Sequence, residues 1–175
     1  EPSATEHSSQ YFQLADILGV DKDLGTRKCL GKYEYKIQKD SFITQENPEI
    51  DLPICDGIYV LGKDTEVLAE KDGTPIVTSH KFGKGRGVYM SGYRFTLMNT
   101  RLLMRAILYA MGNENAMENY ICSNPFTECA YYPGSGKLVI INNTKDRQTT
   151  TVCGENGKES TVTLEPFDIA ILEIS

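Results

Sequence analysis

Residues 74–112, TPIVTSHKFGKGRGVYMSGYRFTLMNTRLLMRAILYAMG, decide how the rest of the chain is read. Pro75 to Lys81 has the β-branched and apolar content of a strand, Phe82 to Gly85 is a glycine-rich turn, and Gly87 to Ser91 is a second strand. Beyond Asn99 the spacing becomes helical. Leu102, Leu103, Met104, Ala106, Ile107, Leu108, Ala110 and Met111 cover most of the circumference, with Arg101 and Arg105 one turn apart on a single stripe. Asn99 is the expected N-cap and Gly112 the expected terminator. At about 13 residues such a helix is shorter than a bilayer core requires, so its apolar surface is expected between a sheet and another neighbour.

Towards the N-terminus, Ser8 to Gly19 fits a helix with Tyr11, Leu14, Ala15 and Leu18 on one face, Ser8 or Ser9 as its cap and Gly19 as its end. Val20 to Lys32 is rich in polar residues and glycine and reads as an irregular connection. Tyr33, Tyr35 and Ile37 alternate with polar residues, the pattern of a half-exposed strand. Two prolines and intervening acids interrupt residues 47–53. The apolar run Gly57 to Leu61 predicts a strand covered on both faces, and Thr65 to Glu70 a further strand entering the Asp72-Gly73 turn. This succession of hairpins is antiparallel in character.

After Asn113-Glu114-Asn115 the helical period disappears. Phe126 to Tyr132, Lys137 to Asn142, Gln148 to Cys153, Ser160 to Leu164 and Phe167 to Ile174 are short β-rich runs divided by turns, as in a small antiparallel sandwich or barrel. The expected organisation is α+β with a boundary near residues 113–118. Glu1-Pro2-Ser3 opens with no methionine and no strand ahead of it, as a chain that begins within a domain.

Composition narrows the function classes. A net charge of −6 disfavours a phosphate-backbone partner, so no nucleic acid is expected. No window approaches ~18 unbroken apolar residues, and the N-terminus lacks the blocks of a signal peptide, which predicts a cytoplasmic protein with no membrane partner. Five cysteines without a Cys-x-x-Cys pair, and only two histidines, read as free thiols rather than disulfides or a zinc site.

Individual candidates for chemistry are weak. Gly83-x-Gly85-x-Gly87 with Lys84 and Arg86 suggests a phosphate cradle, but a strand, not a helix, follows the glycines, so a tight hairpin is the preferred reading. His80, beside Thr78 and Ser79, reads as a surface or satisfied histidine. His7 sits with Glu1, Ser3 and Glu6 just ahead of a helix, where α/β folds place functional groups, although a capping or loop role is favoured. Arg101 and Arg105 read as salt-bridge partners of a neighbouring domain, with anion binding as the alternative. Asn142-Asn143-Thr144 matches a glycosylation sequon and reads as a turn.

Longer stretches carry a resemblance. Glu1-Pro2-Ser3-Ala4, Tyr11 to Asp16 with Leu18 to Asp21, and His80 to Gly92 with Asn99 to Leu103 resemble the C-terminal part of the lacto-N-biose phosphorylase family, the 1,3-β-galactosyl-N-acetylhexosamine phosphorylases. The likeness spans essentially the whole chain and is weakest over residues 116–175. It implies the latter half of an α/β class I glutamine-amidotransferase-like domain over residues 1–115, then a small antiparallel all-β domain over 116–175.

The resemblance further implies a parent enzyme whose TIM-barrel domain cleaves a galactosyl disaccharide with inorganic phosphate, inverting the anomeric carbon to give α-galactose 1-phosphate. One barrel carboxylic acid protonates the leaving oxygen while phosphate attacks. This chain lacks the barrel. No catalytic residue, metal or resident cofactor is therefore assigned to it, and inactivity on its own is expected. The positions that carry over as substrate-binding, near the barrel mouth, are Glu1, Ser3 and His7. Partners are the barrel, the disaccharide and phosphate through it, and a further copy in a homo-oligomer. The alternative is a carbohydrate-binding or assembly module using Tyr131 and Tyr132 as sugar platforms.

Overall fold

A computed structural model describes residues 11–23, 33–38, 40–47, 49–116, 120–154 and 158–174. The chain forms two compact units, residues 1–45 with 49–114, and residues 46–48 with 115–175. Helices are few and the sheets are small and antiparallel, so the described structure is mostly β.

In the first unit, a single helical turn α1 (Ala15–Leu18) leads into β1 (Val20–Lys22), which pairs with β2 (Ile58–Val60). A second sheet comprises β3 (Thr65–Lys71), β4 (Thr74–Phe82) and β5 (Gly85–Met90), with β4 central. The two-residue connection between β3 and β4 is Asp72-Gly73, at φ +50° and +73°, as a primed hairpin turn requires. The connection between β4 and β5 is Gly83-Lys84, with Gly83 at φ +57°. β4 is buried from Pro75 to Ser79 because both of its faces are covered. Helix α2 (Leu97–Met111) joins Leu102 and Ala106 to a core of Ile43, Leu52, Leu68, Ile76 and Val77. A smaller cluster of Val20, Ile58 and Tyr89 takes in Phe12 and Leu18.

Several expectations change. The N-terminal helix is, among the described residues, only α1, and of its predicted core face Tyr11 and Leu14 are exposed while Ala15 is buried. Its proposed caps, Ser8 and Ser9, lie outside the described residues. β1 occupies the start of a segment read as irregular. β2 buries Ile58 and Val60 and leaves Tyr59 half-buried, so one face is fully covered and the other in part. Residues 33–37 form no strand. Only Ile37 makes an isolated parallel bridge, to Val67, because Tyr33 and Ile37 stay exposed and bury no face.

Tyr35 is held differently, its hydroxyl donating to the Glu70 carboxylate at 3.0 Å with the Gly73 carbonyl 3.2 Å away. Burial, reinforced by the Glu70 hydrogen bond and charge, pushes this phenol up to about 12. An unfolded tyrosine titrates near 10. The neutral phenol is the form the fold prefers, so its contribution is complete below pH ~10 and is lost as pH rises towards 12. Denaturation midpoints measured across that range should fall more steeply for the native chain than for Tyr35→Phe. Parallel slopes would rule the contact out as a source of stability.

Helix α2 begins three residues earlier than predicted. Thr96, extended at φ −128°, is the N-cap and accepts from the Asn99 amide at 3.1 Å. Asn99 instead lies buried at the third helical position, donating from Nδ2 to the carbonyls of Asp51 and Arg94. Gly112 ends the helix at φ +68°, its N–H bonded to the Tyr109 carbonyl and that of Asn113 to the Leu108 carbonyl, the paired bonds of a Schellman motif.

The second unit packs two three-stranded sheets. One is β10 (Glu159–Leu164), β9 (Gln148–Cys153) and β6 (Ile121–Cys122); the other is β11 (Ile169–Glu173), β8 (Lys137–Asn142) and β7 (Thr127–Tyr132). Leu138, Ile140, Val152 and Leu164 face inwards with Tyr120 and Cys122. On the first sheet, exposed hydroxyls pair across strands, Thr149 with Thr163 and Thr151 with Thr161, each at 3.0 Å. No helix among the described residues is long and apolar enough to cross a membrane.

Candidate functional site

The three candidate positions Glu1, Ser3 and His7 lie outside the described residues. The described structure begins at Tyr11. There Asp21 on β1 is 2% exposed, and its carboxylate accepts the Tyr11 amide at 3.0 and 3.2 Å and the Phe12 amide at 2.9 Å. A buried carboxylate needs such donors, and the amides ahead of a helical turn have no partner within it. Phe12 then stacks 6.1 Å from Tyr89. Burial first, and Cys55 second, raise the Tyr89 phenol well above its ordinary value. Asp21 therefore fixes Tyr11 and Phe12, the first of the described residues. The sequence reading missed it, since the acid stands in a segment taken for a loop.

A neighbouring contact sets a histidine against a hydroxyl. His80 Nδ1 lies 3.1 Å from Thr65 Oγ1, the spacing of a base and a nucleophile. Yet the Thr65 hydroxyl donates to the Gly19 carbonyl at 3.0 Å, so its oxygen accepts from His80, which carries the proton on Nδ1. The pair ties the Gly19 end of α1 to β3 and β4. Ser79 donates to Glu66 at 3.1 Å but is 3% exposed, beyond the reach of a substrate.

Two of the basic candidates, Arg86 and Arg105, are likewise engaged. Arg86 pairs with Glu114 and lies 4.7 Å over the Tyr109 ring. Arg86 holds the Glu114 carboxyl below the usual carboxylate range. Arg105 is not a surface partner for another domain. It is 1% exposed, donates from Nη1 to the Phe42 carbonyl at 3.1 Å and stacks 5.0 Å from the Phe42 ring, all within the first unit. The glycine motif joins two strands as a hairpin, and its third member, Gly87, serves the packing of α1: a Cβ there would lie 2.1 Å from the Ile17 carbonyl oxygen.

Tyr131 and Tyr132 do not form a shared platform, because successive strand residues point to opposite faces. Tyr131 packs on Tyr120 at 4.6 Å in the core, and Tyr132 is exposed. The sequon residue Asn142 is fully buried, its amide nitrogen donating to the carbonyls of Asp146 and Glu165. Cys55, Cys122, Cys129 and Cys153 are free thiols, and Cys29 lies outside the described residues. Among the described residues no group of three or more His, Cys, Asp and Glu side chains converges as a metal site.

The family model for the lacto-N-biose phosphorylase central domain matches residues 1–115, and that for the lacto-N-biose phosphorylase C-terminal domain matches residues 120–172. The chain is 36% identical to a D-galactosyl-β-1→4-L-rhamnose phosphorylase of Lachnoclostridium phytofermentans, over 99% of this chain and 24% of the relative. It is 38% identical to a 1,3-β-galactosyl-N-acetylhexosamine phosphorylase of the same organism, over 97% of this chain and 23% of the relative. A 1,3-β-galactosyl-N-acetylhexosamine phosphorylase of Bifidobacterium longum subsp. longum is 31% identical, over 97% of this chain and 26% of the relative. The chain thus spans about a quarter of the length of the curated relatives it matches. With central and C-terminal domains matched in order along it, this chain belongs to the lacto-N-biose phosphorylase family.

Proposed function

We propose that the chain is the non-catalytic C-terminal part of a glycoside phosphorylase that cleaves galactosyl-β-1,3-N-acetylhexosamine with inorganic phosphate to α-galactose 1-phosphate. The observation that carries this reading is the ordered match to the central and C-terminal domains over a quarter of the relatives' length. The engagement of Asp21, His80, Arg86 and Arg105 by the chain's own groups supports a scaffolding role. Phosphate enters as a co-substrate, the acid catalyst belongs to a barrel elsewhere in the parent polypeptide, and the assembly is a cytoplasmic homo-oligomer.

In this reading residues 1–115 are the latter half of an amidotransferase-like α/β domain and 116–175 a β domain. The packing of α2 on the β3–β5 core supports the first assignment. Glu1, Ser3 and His7 face the barrel mouth and contact substrate. The test is release of galactose 1-phosphate from galactosyl-β-1,3-N-acetylglucosamine or the rhamnose disaccharide with phosphate. The expected result is turnover by the longer polypeptide carrying this sequence and none by the 175-residue chain. Turnover by the chain alone would overturn the non-catalytic assignment, and an inactive longer polypeptide the phosphorylase reading.

A further inference from the structure

Helix α2 has two apolar sides, and the fold covers one. Leu102 and Ala106 are buried in the core. On its exposed side stand Leu97, Met104, Ile107 and Met111, with exposures of 44%, 45%, 50% and 68%. A surface helix ordinarily turns polar residues outwards. Here the exposed large apolar positions step by seven, three and four residues, with exposed Thr100 at the intervening position, the a/d spacing of a helix that receives another helix. Phe95, 91% exposed, stands two residues ahead of the stripe.

We propose that this stripe is the seat of an apolar helix supplied by the polypeptide that, in the relatives, precedes the region matched here. Two considerations select that occupant over a second copy. A helix of this length spans about 22 Å, and a stripe about 10 Å wide offers roughly 200 Å². That is a fraction of the ~800 Å² each partner buries in a stable interface between free proteins. A tethered element needs no such area, because linkage raises its effective concentration to about millimolar. About three quarters of each relative lies outside the matched region, ample chain to provide it. Two methionines on the seat suit a ridge of side chains, since their unbranched stems adapt to what they meet. The proposal rests on this chain being part of a longer polypeptide, not on phosphorolysis.

Peroxide oxidation of the native methionines, followed by peptide mass spectrometry, tests it without substitution. Met104 and Met111 are expected to oxidise about tenfold more slowly in the longer polypeptide than in the 175-residue chain, with half-buried Met90 on β5 as the reference that does not change. Equal rates in the two would overturn the proposal. So would protection in the 175-residue chain that grows with its concentration, which assigns the seat to a second copy. Protection in a longer polypeptide that shows no phosphorolysis would support the docked helix while removing the functional reading.

Discussion

Gly87→Ala is expected to lower the stability of the first unit by about 3 kcal/mol or more, whereas Gly85→Ala, two residues earlier in the same glycine motif, should change it by less than about 0.5 kcal/mol. At Gly87 an added Cβ would sit 2.1 Å from the Ile17 carbonyl oxygen and 2.9 Å from its carbon, both backbone atoms. At Gly85 the nearest atom is 3.6 Å away. The α1 turn cannot simply retreat. Its last carbonyl, at Gly19, accepts both the Thr65 hydroxyl at 3.0 Å and the Leu61 amide at 2.9 Å. Gly19 itself is pinned at φ +69°, with Thr65 Oγ1 2.1 Å from where a Cβ would be. Relief must therefore break contacts between α1 and the sheet. Hydrogen exchange of the β5 amides would read the loss, with the second unit as internal reference. Equal protection in the two variants would show that the close approach is not what Gly87 provides, and would return the motif to consideration as an anion cradle.

Asn142→Asp should destabilise the second unit by about 3 kcal/mol, while Asn143→Asp, at an exposed neighbour, should be close to neutral. Asn142 uses its whole amide. Nδ2 donates to the carbonyls of Asp146 at 2.8 Å and Glu165 at 2.9 Å, and Oδ1 accepts from the Thr144 amide and hydroxyl at 2.9 and 2.8 Å. An ionised carboxylate of the same shape keeps the acceptor side but faces two carbonyl oxygens with no proton to give. The deficit should shrink in acid, where the neutral carboxyl donates once. Urea midpoints at pH 7 and pH 4 measure both effects, and similar values for the two variants would remove Asn142 as the organiser of the β8–β9 turn. The same bonds explain why the sequon is no modification site: the nitrogen that would carry a glycan is committed to two carbonyls and fully buried.

Local signals in the sequence transferred well where a turn or a period dictates geometry. The Asp72-Gly73 and Gly83-Lys84 hairpins, the Gly112 stop, and strands 137–142 and 148–153 stand where turn chemistry and alternation put them. The expected N-cap differs from the observed one because Thr96 and Asn99 are both competent caps, and Asn99 is drawn inwards by the nearby Arg94 carbonyl and by the Asp51 carbonyl, which arrives from elsewhere in the fold. The strand predicted at residues 33–37 failed because alternation creates a face only where something covers it.

Arg105 shows the same limit from the other side. In the sequence it is a cation on an apolar helix, with nothing to distinguish an outward salt bridge from an inward stack on Phe42. Asp21 gave no signal because its partners are main-chain amides, which every residue but proline possesses.

By itself the sequence determined the hairpins, the glycine-stopped helix, the all-β second half and the family, because these depend on local spacing and on matches along the chain. Only the tertiary structure decided what the polar residues do. Whether Asp21, Thr65, His80, Arg105 and Asn142 meet a substrate or the chain's own amides, carbonyls and hydroxyls depends on groups brought close by the fold. Burial makes each of those meetings obligatory, since a polar group removed from water must be satisfied by whatever backbone lies beside it.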